Sequence, residues 1–200
     1  HRQGDQRHQH ATSTQTHGQR RADGTDVQVR LRGTPGCRTR FQMKPRGGIE
    51  AEADGLYVQI GQRMVESTDE DDVLSASLAH ELAHNMLRHR ERQNAQGMRR
   101  GLSRMFGRSA ALSRASELEA DRMVPWLLAL AGDDPAAGLR WLDLIERLAG
   151  PAAPTHPGWT RRRQVIAAQL PIIAAQRAAG QPLRPPFDVT GAQPLLPDER

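Results

Sequence analysis

Cysteine, lysine and long apolar runs are scarce in this sequence of 200 residues. The single cysteine, Cys37, excludes an internal disulfide framework and a cysteine-rich zinc finger. The longest apolar run, Val124 to Ala131, has eight residues. A bilayer-spanning helix needs about 20, so the chain as given is not an integral membrane protein. The chain begins at His1 rather than Met, which indicates a processed or truncated form whose signal peptide, if it had one, is not seen.

Positive charge is carried almost entirely by arginine, because Lys44 is the only lysine among 28 basic residues. With 23 acidic residues the formal charge is +5. An arginine- and alanine-rich composition is typical of a GC-rich genome, so part of this excess reflects codon bias. Residues 88–114 nevertheless contain eight arginines and one acid, Glu91. Such a loop could contact phosphates or an anionic membrane surface, although a solvated loop is the commoner outcome. Phe106 is the only aromatic residue there, so specific recognition of nucleic acid is not expected.

Composition divides the chain into three parts. Residues 1–26 have only two apolar residues, which predicts a disordered head. Residues 27–180 are predicted to form one globular domain, and the proline-rich residues 181–200 an extended tail. The head is rich in glutamine and holds four of the eight histidines, which could bind metal but are more simply a solvated tail: His1, His8, His10 and His17.

The first part of the domain has strand periodicity. Alternating apolar residues predict a strand over 27–31, a turn at Thr34-Pro35-Gly36 and a weaker strand over 40–44. Residues 49–53 and 56–60 flank Asp54-Gly55, which predicts a hairpin with a tight type I′ turn. We expect a small antiparallel sheet.

Helices are predicted for the rest of the domain. The first has capping hydroxyls at Ser67 and Thr68, acids in its first turn, and an end near residue 92. A mobile loop over 93–110 precedes a helix over 113–131, a third helix that Asp134-Pro135 opens and Gly150 closes, and a fourth over about 160–179. Pro125 and Pro171 should kink or break their helices.

A metal site is indicated by His80-Glu81-Leu82-Ala83-His84. On a helix, His80 and His84 lie one turn apart on one face, so both imidazoles can reach one Zn²⁺, with Glu81 beside a metal-bound water. Three leucines, at positions 74, 78 and 82, form the opposite stripe, which we expect to pack into the core. A solvated helix or a purely structural metal site is the alternative interpretation.

A third ligand is predicted from Glu117-Leu118-Glu119-Ala120-Asp121. Glu117 and Asp121 are also four residues apart, on a helix that can return past the first. Glu117 would bind the metal and Asp121 would orient a ligand histidine through its other ring nitrogen. Alone, such a pair is more often a solvated helix face.

The two motifs, taken in this order, resemble the CAAX prenyl protease/HtpX-like zinc metallopeptidases, which are gluzincins. The resemblance covers about residues 49–180 and includes Thr155-His156-Pro157 followed by Arg162. It implies an α+β, mainly α, zincin-like fold and a zinc endopeptidase, with His80, His84 and Glu117 as ligands and Glu81 as general base. The soluble, exported bacterial members share the order of motifs, which implies a periplasmic or otherwise extracytoplasmic protein. Glu50-Ala51 stands where relatives often have Asn-Ala.

The implied substrate is an extended or misfolded polypeptide, as in envelope protein quality control, adding to an edge strand around Tyr57 to Ile60. His156 and Arg162 are candidates for stabilising the tetrahedral oxyanion. His156 could instead be a fourth zinc ligand that idles the enzyme, or a cap of the fourth helix. A zinc-binding chaperone or assembly factor with latent proteolysis is the alternative function.

Overall fold

The computed structural model describes residues 14–20, 26–32, 39–99 and 101–197. They fall into two units, which divide after Arg38. In the first unit, strand β1 (Thr14–Arg20) pairs antiparallel with β2 (Asp26–Arg32). The strand predicted over 27–31 is therefore present, and a second strand lies inside the head that composition predicts to be disordered. The turn at Thr34-Pro35-Gly36, Cys37 and three of the four head histidines lie outside the described residues.

The second unit begins with a three-stranded sheet of β3 (Arg40–Lys44), β4 (Ala51–Ala53) and β5 (Tyr57–Gly61), in the order β3-β5-β4. The predicted hairpin is confirmed, since β4 and β5 are antiparallel. The purely antiparallel sheet is wrong, because β3 runs parallel to β5.

Glycines allow the chain that follows β3 to cross closely over the end of β5. A Cβ on Gly61 would lie 2.1 Å from the carbonyl oxygen of Gly48, and one on Gly47 would lie 2.8 Å from the Cα of Gly61. The segment after β3 therefore passes directly against the end of β5, which brings β4 to the far edge of that strand.

The hairpin loop also differs from the predicted type I′ turn. That turn needs positive φ at both central residues. Gly55 has φ of +100°, but Asp54 is not among the residues with positive φ. The Asp54 carboxylate instead accepts hydrogen bonds from the backbone N–H groups of Leu56 (2.9 Å) and Tyr57 (2.7 Å). A side-chain acceptor thus closes a longer loop.

Helices make up most of the remainder, so the unit is α+β and mainly helical. The α-helices are α1 (Gln62–Val65), α2 (Asp71–Met86), α3 (His89–Ala95), α4 (Gly107–Ala131), α5 (Ala137–Ala149), α6 (Trp159–Ala167) and α7 (Leu170–Ala178). A 3₁₀ helix spans Gly101–Met105.

The first long helix is shorter than predicted. It ends at Met86 rather than near residue 92, because Arg88 adopts a left-handed conformation (φ 54°, ψ 37°) and the chain restarts as α3. Its first turn holds the expected acids Asp71 and Asp72, but no side chain caps it. Thr68 Oγ1 accepts the N–H of Glu70 instead. The loop predicted over 93–110 is correspondingly reduced by α3, the 3₁₀ helix and the early start of α4.

The two internal prolines behave differently. Pro125 is expected to kink or break its helix, and it does not break it, because helix α4 continues through buried Pro125 to Ala131. The predicted fourth helix is broken into α6 and α7, and Pro171 lies in the first turn of α7, where its missing N–H costs least.

Helix α2 is covered on more than one side, since α4, α5, β4 and β5 all contact it. Its buried apolar residues are Val73, Ala76, Ala79 and Ala83. The leucines at 74, 78 and 82 are only half-buried, and those at 74 and 78 pack against the main core cluster, so the expected leucine stripe contributes to the core only in part. Small alanines, rather than leucines, allow α4 to approach closely.

The segment after α7 contains no helix or strand through residue 197, as an extended tail predicts, but it packs onto the unit. Phe187 and Val189 contact the cluster around Leu87. Gln96 Oε1 accepts the N–H of Leu195 at 2.8 Å. Among the described residues, none of the helices has the length and apolar character required to cross a bilayer.

Candidate metal centre

One cavity of about 410 Å³ collects the predicted site residues. Helix α2 supplies three of them, α4 one, and the segment leading into α6 together with α6 itself the other two. All six line its wall: His80, Glu81, His84, Glu117, His156 and Arg162. Residues that are 82 positions apart in the chain, from 80 to 162, are thus brought to a single space.

Three donor atoms converge in this cavity. The Nε2 atoms of His80 and His84 are 3.2 Å apart. Glu117 Oε2 lies 3.2 Å from His80 Nε2, and Glu117 Oε1 lies 3.5 Å from His84 Nε2. These three residues form the group that could hold a metal ion in the described part of the chain. Zinc bonds of about 2.0–2.1 Å in a tetrahedral site require ligand atoms roughly 3.3 Å apart. The observed separations fit that requirement.

Asp121 lies behind His80, as the spacing of the motif predicts. Its Oδ1 is 3.1 Å from His80 Nδ1, and its side chain is fully buried. The two atoms are within ion-pair distance, although the contact does not meet the geometry of a hydrogen bond. The carboxylate still faces the ring nitrogen that points away from Glu117.

Arg162 is paired with the same carboxylate. Its Nε and NH2 groups donate to Asp121 Oδ2 at 2.8 Å and Oδ1 at 2.7 Å. Its guanidinium also lies 5.3 Å from the ring centroid of Trp141 and 5.4 Å from that of Trp159. Arg162 is 3% exposed and its NH2 is 3.9 Å from Glu117 Oε2. The structure therefore engages Arg162 with Asp121, while leaving it in the cavity wall.

His156 lies at the rim of the site. Its Nε2 is 3.8 Å from Glu117 Oε2, and 40% of its side chain is exposed. It is not one of the three convergent donors. The proposed helix cap is not observed, because Gly158 is the N-cap of α6 and no side chain caps that helix. His156 thus faces the cavity without belonging to the tight triangle.

Burial and neighbouring charges shift the pKa values of the side chains in the cavity. Burial lowers the pKa of His80, but Asp121 and Glu117 outweigh it and raise that pKa to about 9. Burial lowers the pKa of His84 well below its ordinary value. Burial opposes ionisation of Glu117, yet His84 and His80 hold its pKa well below the usual range. Burial raises the pKa of Glu81 to about 7, which suits a group that must both accept and return a proton near neutrality.

His89 belongs to the site although the motifs do not include it. Its Nδ1 is 2.8 Å from His84 Nδ1, and its Nε2 is 3.2 Å from Glu119 Oε2. In one continuous helix, residues five apart do not share a face. The break at Arg88 brings the two rings together, and no periodicity in the sequence indicates that break.

Several side chains of the arginine-rich stretch, residues 88–114, have partners within the fold. Arg88 pairs with Glu91, Arg92 pairs with Glu119 at 2.7 Å, and Arg90 donates to the carbonyl oxygen of Asp54. Three apolar side chains of the same stretch are exposed: Leu102 (82%), Phe106 (71%) and Met105 (38%).

Comparisons with protein-family models, with curated proteins and with solved structures found no match to this chain.

Proposed function

We propose that this protein is a zinc-dependent metalloendopeptidase. The observation that carries the proposal is the triangle of His80, His84 and Glu117 donor atoms, 3.2 to 3.5 Å apart, with Glu81 in the same cavity. Three protein ligands leave one tetrahedral position for water or substrate, which is the arrangement of catalytic rather than structural zinc. Two imidazoles and one carboxylate are a donor set that zinc favours.

Zinc held by these residues would polarise the scissile carbonyl and lower the pKa of bound water towards ~7. Glu81 then accepts the proton of the attacking water and returns it to the leaving amine. Its raised pKa, about 7, supports both halves of that transfer. Asp121 holds His80, and Arg162 acts on the site by holding Asp121. His156, at the rim, is placed to stabilise charge on the substrate or to approach the metal as a fourth ligand.

The strand to which an extended polypeptide substrate can add is not the one expected from the sequence. Strand β5 is central, so its edges are already paired and the segment around Tyr57 to Ile60 cannot accept a peptide. Strand β4 is one of the two edge strands, and its residues Ala51 and Ala53 line the cavity. Because Glu50 C=O and Asp54 N–H bond to β5, alternation turns the main-chain groups of Ala51 and Ala53 outward. An extended polypeptide can therefore add to β4, beside Glu81.

The zincin-like fold and an extracytoplasmic location belong to the same proposal. They rest on the resemblance of the two motifs to the CAAX prenyl protease/HtpX-like peptidases. The packing of α2 against α4 supports that resemblance, since it joins the two motifs in one site.

The test combines metal analysis with casein hydrolysis by the wild-type chain and its Glu81→Gln variant. We expect one zinc per chain in both proteins and a loss of activity of about 10²–10⁴-fold in the variant. Glu66→Gln is the matched control, since Glu66 pairs with Gln62 outside the cavity, and it should keep full activity. Stoichiometric zinc without hydrolysis in the wild type would favour a zinc-binding assembly factor. Absence of bound metal would refute both functions.

A further inference from the structure

His89 is buried beside the metal ligands but outside both motifs. Only 2% of its surface is exposed, and it begins helix α3 directly after the left-handed Arg88. Its ring packs edge-on against that of His84, with centroids 4.8 Å apart and an interplanar angle of 78°. A buried imidazole must have hydrogen-bond partners, and here one of them is a proposed ligand of the metal.

Hydrogen-bond roles along this contact are fixed by His84. Its Nε2 faces the donor triangle, so a metal there requires Nε2 to be unprotonated and Nδ1 to carry the proton. That Nδ1–H can only donate to His89 Nδ1, 2.8 Å away, which must be an acceptor. His89 then carries its proton on Nε2 and donates it to Glu119 Oε2 at 3.2 Å.

Glu119, the last group in this series of hydrogen bonds, is held in place by an arginine. Glu119 accepts from Arg92 NH1 at 2.7 Å and from NH2 at 3.1 Å. Arg92, 9% exposed, also donates through Nε to the carbonyl oxygen of Gln193 at 2.7 Å. Arginine stays charged at any ordinary pH, so it keeps the Glu119 carboxylate ionised and acceptor-only. Each group in the series therefore has one possible role.

We infer that His89 is a positioning residue, which together with Glu119 fixes the tautomer and the ring orientation of His84 for metal binding. The inference deepens the proposed function and rests on it. The two ligand histidines are thus supported differently: a carboxylate, Asp121, faces His80, whereas a neutral imidazole faces His84. Partners of this kind are worth about 10–100-fold in metal affinity.

The test measures the zinc dissociation constant by chelator competition for the wild type, His89→Gln and His89→Leu. A glutamine can accept from His84 through Oε1 and donate to Glu119 through Nε2, so it should bind zinc within about threefold of wild type. Leucine can do neither, and we expect about 10–100-fold weaker binding. The visible spectrum of the cobalt-substituted protein should change with leucine and not with glutamine.

A control separates positioning from general loosening. Gln176 holds the segment after α7 by accepting the N–H of Arg184 at 2.8 Å and donating to its carbonyl oxygen at 2.9 Å, and it has no bond to His84, His89, Glu119 or Arg92 among the described contacts. Gln176→Leu should lower the thermal midpoint of the metal-free protein and leave zinc affinity unchanged. His89→Leu should weaken zinc binding by more than does a variant whose metal-free protein has an equally lowered thermal midpoint. Should His89→Leu not fold, His89→Ala with added imidazole replaces it, because His89 borders the cavity. Restored affinity supports the inference and its absence overturns it.

The outcomes distinguish the two proposals. If the wild type binds no zinc, the proposed function fails and takes this inference with it. If the wild type binds zinc and His89→Leu binds it equally well, only the role of His89 is overturned. Glutamine and leucine variants that are equally weak would also overturn it, because packing rather than hydrogen bonding would then explain the loss.

Discussion

Removing the carboxylate of Asp121 should destabilise the protein far more than removing an exposed one. Asp121 is fully buried and Arg162 is 3% exposed, and the two share paired contacts of 2.7 and 2.8 Å. In Asp121→Ala the guanidinium loses both of these contacts and keeps Glu117, at 3.9 Å, as its ion-pair partner among the described residues. Breaking a buried pair in this way costs about 3–5 kcal/mol.

The chain supplies a matched control for that prediction. Arg163, one position along α6, also donates to a carboxylate through Nε at 2.9 Å and NH2 at 2.7 Å, although both bonds go to Asp143 Oδ1 and its NH2 also pairs with Glu146. Those side chains are 31% and 51% exposed, so Asp143→Ala should cost no more than about 1 kcal/mol.

Urea unfolding followed by circular dichroism, in EDTA, measures both free energies of unfolding. The double variant Asp121→Leu/Arg162→Met should be more stable than Asp121→Ala, since it leaves no unpaired charge. If Asp121→Ala costs less than about 1 kcal/mol, or no more than Asp143→Ala, Arg162 is not held as the structure indicates. Its function would then have to be sought in the cavity alone.

Three further outcomes are expected. Zinc uptake should release one proton near pH 7, because His80, whose pKa is about 9 despite burial, must lose its proton to bind metal. Apparent zinc affinity should therefore rise about tenfold per pH unit and level off near pH 9. Calorimetry in buffers of different ionisation enthalpy measures the number of protons released. A zinc affinity that does not change with pH would contradict the prediction. His156→Ala should raise casein hydrolysis if His156 blocks the metal, and a fall would refute that idling role. Replacing Arg99, Arg100, Arg104 and Arg108 with glutamine should abolish sedimentation with anionic vesicles at low salt if the arginine-rich stretch contacts membranes, whereas equal sedimentation of variant and wild type would remove that proposal.

The group of residues that could hold a metal ion was predictable because its geometry is local. Residues four apart on a helix share a face in any fold, so His80 with His84 and Glu117 with Asp121 needed only the correct assignment of two helices. Strands β2 to β5 were likewise predictable from alternation, whereas β1 lies in the segment that composition predicts to be disordered. What the sequence could not supply was the relation between elements. The crossing at Gly48 and Gly61 decides which strand is central, and it depends on contacts rather than on pattern.

The supporting residues were hidden for a related reason. His89 contacts His84 only because the helix stops at Met86, and Arg88 is an unusual residue to adopt a left-handed conformation. Its partner Glu119 lies 30 positions later, and Arg92, which holds Glu119, is in turn bonded to Gln193. Such partners leave no periodic signal.

The protonation of the site favours a cation at its centre. If His84 donates through Nδ1 to His89, its Nε2 presents a lone pair to the triangle. Glu117, with its lowered pKa, presents carboxylate oxygens. His80 can supply at most one proton, through Nε2, to satisfy both neighbours at 3.2 Å. One proton cannot serve two acceptors equally well, whereas one metal ion accepts from all three donors at once. Proton and metal therefore compete for the same point, which is why zinc affinity should follow the ionisation of His80.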